Sequence, residues 1–184
     1  MSRYISILTN AQMVMTNRSG GYTSAYAAVF ENTMYSMGNM FLILGQLGQL
    51  DHQRGLFSAA TDDFRWLVYL TSRENEPEAS AHAQYCLGLC LMLQAAGTTN
   101  NDNAEVLKQA ASAFRGSLKY YSRDNVPRMA SKAEQMLGLA LLTQSKVVSG
   151  PYGQYLAIEA AEAFQQAQSV ATESTDASLD WTAF

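Results

Sequence analysis

His82, Cys86 and Cys90 stand at i, i+4 and i+8. On one helix the three side chains share a face. Imidazole and thiolate are zinc and copper ligands, so one reading of the trio is a metal site. The other is a packed helix face on which two small thiols act as apolar filler. No second ligand pair has a suggestive spacing, and the other histidine is His52. Cys90 lies between Leu89 and Leu91, and apolar surroundings raise a thiol pKa rather than activate it. Two cysteines one helical turn apart are badly placed for a disulfide. A reducing, intracellular compartment follows as the simpler expectation.

Catalytic groupings are sparse. Cys86 beside His82 offers a thiol and a base, but no third group to orient the base is identifiable. Asp62-Asp63 is an adjacent carboxylate pair expected near the start of a helix, where it would offset the helix dipole. No glycine-rich phosphate loop, Gly-x-Ser-x-Gly elbow or His-Glu-x-x-His motif occurs. The expectation is a protein that is not an enzyme, with no catalytic residues, no metal and no cofactor.

The elements that carry these residues are helices. The chain has 184 residues, 48% hydrophobic and 15% charged, enough apolar material for a folded core. Ala, Gln, Leu and Met are abundant and Pro numbers 3, which favours helix. Stretches rich in Val and Ile, which would support strands, are few. A net charge of −4 argues against nucleic acid and against an anionic membrane surface. The run from Tyr4 to Met15 carries Ser6, Thr9, Asn10 and Gln12, so it reads neither as a signal peptide nor as a membrane span. A cytoplasmic location is the default.

The text repeats with a period of 50: Gly38, Gly88 and Gly138, then Phe64, Phe114 and Phe164. Leu87-Gly88-Leu89 returns as Leu137-Gly138-Leu139, with Met37-Gly38-Asn39 a weaker copy. Arg73, Asn75 and Pro77 return as Arg123, Asn125 and Pro127, and Ala110-Ala111-Ser112-Ala113-Phe114 as Ala160-Ala161-Glu162-Ala163-Phe164. A fixed period of this size means stacked helical units, each burying its apolar face on its neighbours. The glycine and alanine remove bulk where two helices approach, and the phenylalanine fills the groove. A mid-helix glycine costs about 1 kcal/mol against alanine, and its return implies that close packing offsets the cost.

Helical spacing and breakers predict helices at about 4–17, 23–44, 56–72, 78–95, 104–122, 128–146 and 154–172. Gly45, Gly48, Asp51 and Gly55 read as a loop, as do Gly97–Asn103 and Gly150–Gly153. The organisation is one domain over 1–184: an N-terminal helix and linker at 1–22, repeats at 23–76, 77–126 and 127–172, and a tail at 173–184.

Leu87-Gly88 with Ala110 and Phe114, and Leu137-Gly138 with Ala160 and Phe164, resemble the tetratricopeptide repeat. Met37-Gly38 with Ala60 and Phe64 is a looser match. The family's usual repeat is about 34 residues; the surplus is expected in a loop longer by roughly ten residues and a second helix longer by roughly a turn. The pattern is similar to a bacterial long-loop variant whose repeats end in a Tyr-Thr-Arg-like stretch and a proline. Tyr120-Tyr121-Ser122-Arg123 with Pro127 matches it, as does Tyr69-Leu70-Thr71-Ser72-Arg73 with Pro77, and Leu179-Asp180-Trp181 is like the entry to a further repeat. The resemblance covers about residues 25–184. It implies an all-α, right-handed α-solenoid of about three antiparallel helix pairs, preceded by the extra N-terminal helix.

It also implies a concave groove lined by the first helix of each unit. The groove places are Asn32, Tyr35, Asn39, Leu42 and Ile43 in the first unit, His82, Tyr85, Leu89, Met92 and Leu93 in the second, and Lys132, Gln135, Leu139, Leu142 and Thr143 in the third. Some family members clamp a peptide carboxylate there. Asn39 and Lys132 match two clamp places, while Tyr35, Cys86 and Met136 do not match the others. An apolar groove suits an amphipathic helix or extended segment of a protein or peptide partner. The competing readings are a structural module that self-associates as a homo-oligomer through Leu179, Trp181 and Phe184, and a small-molecule or metal sensor at His82, Cys86 and Cys90.

Overall fold

A computed structural model describes residues 50–73, 75–96 and 102–178, with side chains over 57–73, 75–96 and 103–170. The first-unit groove residues Asn32, Tyr35, Asn39, Leu42 and Ile43, the N-terminal helix and the end of the tail lie outside the described residues. Those described are all-helical and belong to one compact unit. They form α1 (Leu50–Arg73), α2 (Pro77–Ala96), α3 (Asp102–Ser117), α4 (Pro127–Val147) and α5 (Pro151–Ser178).

Helix α1 buries Phe57, Ala60, Phe64, Leu67 and Thr71, an i, i+3, i+4 stripe. It ends where Asn75 takes a left-handed φ of 59°, which reverses the chain, and the Glu76 N–H donates to Thr71 O at 2.9 Å. Pro77 then occupies the first position of α2, where its missing N–H costs nothing. Helix α2 is buried on more than one side, through Ala81, Ala83, Cys86, Gly88, Cys90 and Leu91, because α1 packs on it from one direction and α3 from another.

Each helix packs on its neighbours in the chain, and α2 also touches α4. The pairs α2–α3 and α4–α5 share one close glycine–phenylalanine contact at the 50-residue step. A Cβ built on Gly88 would meet the Phe114 ring at 2.6–2.9 Å, and one on Gly138 the Phe164 ring at 2.9–3.0 Å. The close approach read from the sequence therefore occurs in both pairs. Arg65 Nη2 donates to Gln109 Oε1 at 2.9 Å; fifty residues on, Arg115 pairs with Glu159. Leu91, Ala110, Phe114, Leu137, Leu141, Leu156 and Ala160 make one continuous core across α2 to α5.

Several predicted boundaries are corrected. The surplus repeat length lies in the helices and in the 118–126 connection from α3 to α4, rather than in a long loop within each pair: residues 97–101 separate α2 from α3, and 148–150 separate α4 from α5. Asp51 and Gly55 fall inside α1, so its start precedes the expected loop's end. A mid-helix glycine costs about 1 kcal/mol, less than the gain of about 1.5–3 kcal/mol from burying one large apolar side chain of the α1 stripe. Gly153 is buried inside α5, against the carbonyls of Ser145 and Val148 that close α4. Helix α3 stops at Ser117, not 122: Ser117 O accepts the N–H groups of Tyr120 and Tyr121, turning Tyr121 into a small core with Ala81 and Ala130. Helix α5 runs on to Ser178.

Candidate functional site

The residues expected to line a groove in the second and third units sit on α2 and α4, at positions that the repeat makes equivalent. His82 is exposed, and Tyr85, Leu89, Met92 and Leu93 are half-buried. On α4, Lys132, Gln135 and Leu139 are exposed, with Leu139 at 42%, and Leu142 and Thr143 are half-buried. Spacings of three and four residues place each set on one helix face, and α2 touches α4. Each stripe is polar near the helix start and apolar toward its end. Lys132 has no ion-pair partner among the described residues. Leu89, Met92 and Leu142 also pack against the main core, so each has one side in protein and the other at the surface. The Tyr85 ring meets Phe114 edge-on with centroids 5.8 Å apart, which holds it in place at the surface.

His82, Cys86 and Cys90 share α2. Cys86 Sγ lies 3.8 Å from His82 Nε2, and Tyr121 Oη 3.5 Å from His82 Nδ1. His82 is exposed as a residue, but its ring nitrogens face these two groups, and burial there pulls the imidazole pKa below its ordinary value against an opposing pull from Glu78. Burial pushes both thiols up to about 12, with Cys86 and Asp63 adding to the rise at Cys90. Both are free and buried, which is the inert environment expected from the sequence. Among the described residues no group of three or more His, Cys, Asp or Glu is gathered to hold a metal.

Asp62-Asp63 is not at a helix start. Because α1 begins at Leu50, the pair lies in mid-helix, too far from the helix start to offset its dipole. Asp62 is exposed and pairs with Arg65 at 3.6 Å. Asp63 turns inward: its Oδ2 is buried without a hydrogen-bond partner, and burial, helped by Asp62, pushes its pKa up to about 6. The repeat has alanine at this place, in Ala113 and Ala163, both buried.

Two further features escaped the sequence reading. An open cleft of about 520 Å³ lies where α2 begins, lined by Glu76, Glu78, His82, Tyr120 and Tyr121. On α5, Tyr152, Tyr155 and Ile158 are exposed, where the repeat has Asp102, Glu105 and Lys108 on α3. Subtracting one repeat from the next would have flagged both, since each breaks the pattern. No described helix is long and apolar enough to cross a membrane. Comparison with protein-family models, curated proteins and solved structures finds no match.

Proposed function

We propose that this chain is a tetratricopeptide-like right-handed α-solenoid that works without catalysis, as a scaffold holding a segment of a protein partner. The observation that carries the reading is the matched pair of stripes, Tyr85, Leu89 and Met92 on α2 beside Gln135, Leu139 and Leu142 on α4. Tyr85, Leu89, Met92 and Leu142 offer apolar surface already held in place by the core, which limits the order lost on binding. Stacked helix pairs at a fixed repeat make such surfaces continuous. The test is capture of partners from native lysate by the wild type and by Leu139→Asp, Tyr85→Ala and Ile158→Asp, each checked for helicity. Loss with the first two and retention with the third supports the stripe. Unchanged capture with Leu139→Asp and Tyr85→Ala contradicts it.

A second reading has its own observation. Phe64 and Phe114 are 0% exposed, but Phe164 is 37% exposed on α5. An exposed apolar ring of this kind on a repeat unit favours self-association. Light scattering over a range of concentrations decides it: a concentration-dependent mass supports association, and a monomer throughout removes it.

A further inference from the structure

The cleft at the start of α2 has a chemical character that the hairpin does not require. The next unit makes the same turn with Val126 in place of Glu76, Arg128 in place of Glu78, Lys132 in place of His82 and Val170 in place of Tyr120. The small core beneath, built from Ala81, Tyr121, Ala130 and Val170, serves both units. Carboxylates and the paired tyrosine rings, whose centroids are 6.0 Å apart, are therefore additions to the first of these turns. Neither Glu76 nor Glu78 forms an ion pair among the described residues. Burial pulls the His82 pKa below its ordinary value, against an opposing pull from Glu78. The start of α2 contributes about half a positive charge, which two carboxylates outweigh.

We propose that this cleft takes a basic side chain, lysine or arginine, from the segment that lies along the neighbouring stripe. The inference rests on the groove reading for its occupant being a polypeptide. Its chemistry is that of a cation held between two carboxylates and an aromatic face. The stripe continues from His82 directly to Tyr85, so the basic residue precedes the apolar part of the segment. At the equivalent place on α4, Arg128 and Lys132 repel the same side chain, which fixes the unit it enters.

The test uses the intact chain, followed by NMR and calorimetry, with acetyl-Lys-Lys-Lys-amide, acetyl-Glu-Glu-Glu-amide and acetyl-Leu-Tyr-Leu-amide as probes. The lysine peptide is expected to shift the amides of Glu76, of residues 78–82 and of residues 120–121, and the glutamate peptide to leave them unmoved. The double variant Glu76→Gln, Glu78→Gln weakens the lysine peptide about tenfold, Tyr120→Leu about threefold, and the distant Glu162→Gln leaves it unchanged. Lysine-peptide shifts spread evenly over all acidic residues, or equal affinity in the double variant, overturn the cleft. The Leu-Tyr-Leu peptide reads the groove separately: its shifts belong at Met92 and Leu139, and their absence overturns the groove reading whatever the lysine peptide does.

Discussion

The ring of Phe114 occupies the space that a side chain at residue 88 would need, with Cε1 2.6 Å from the position of a Cβ on Gly88. Phe114 is fully buried in the core shared by α2, α3, α4 and α5, so it has nowhere to move. The same relationship holds between Gly138 and Phe164, but Phe164 is partly exposed and has room to yield.

Gly88→Ala and Gly138→Ala therefore have different outcomes. Alanine gains about 1 kcal/mol in helix propensity at either place. At residue 88 overpacking against a trapped ring costs about 1–3 kcal/mol, for a net loss. At residue 138 the ring shifts outward and the variant is neutral or slightly more stable. Urea unfolding midpoints measure both, and equal losses at the two positions would contradict the packing described.

Asp63→Ala is expected to stabilise the protein at neutral pH. The folded-state pKa of Asp63 is raised, from 3.8 to about 6, so the folded form binds its proton more tightly than the unfolded chain does. Its stability is fully present below pH 4 and is lost as pH rises through 6. A rise of this size is discounted for partial exposure to about 1–2 kcal/mol at pH 7. Thermal unfolding of wild type and variant at pH 4 and pH 7.5 should show a gap that opens only at the higher pH. A variant less stable than wild type at pH 7.5 would refute the account of this carboxyl.

Arg128→Glu is expected to stabilise α4 while abolishing its basic end. The first turn of α4 carries no acidic residue, and Val126 at its cap makes no side-chain hydrogen bond. Replacing a cation with an anion there gains about 0.3–1 kcal/mol from the helix dipole. Thermal unfolding in low salt measures it, and the gain should shrink as salt is added. A loss of stability would show that Arg128 has a structural role.

Cys86 and Cys90 should resist thiol reagents in the folded protein. With pKa values of about 12, roughly one thiol in ten thousand is ionised at pH 8. Labelling by a chromogenic disulfide should follow the unfolding rate, and fast labelling of either residue in native buffer would contradict their placement.

The glycine and phenylalanine spacing in the sequence carried the helix pairing, because close approach allows few residue types and the repeat displays them three times. Helix ends were less legible. Gly55 and Gly153 look like breakers in a one-dimensional reading, but tertiary burial outweighs the small propensity penalty, and both lie within helices. The sequence pattern makes Tyr121 helical, because nothing local says that its ring must turn back to meet Ala81. The expected groove positions Tyr85 and Leu139 follow from the family resemblance alone, whereas the cleft beside Tyr120 needs the fold, since Glu76 and Tyr120 are far apart in sequence and meet only when α2 and α3 pair.

Side-chain footprinting by hydroxyl radicals, with and without the captured partner, tests the central claim most directly. Protection of Tyr85, Met92 and Leu139, with Tyr152 and Tyr155 on α5 labelled as before, is the predicted result. Protection of Tyr152 and Tyr155 with the α2 and α4 stripes still labelled would place the partner elsewhere and contradict the account.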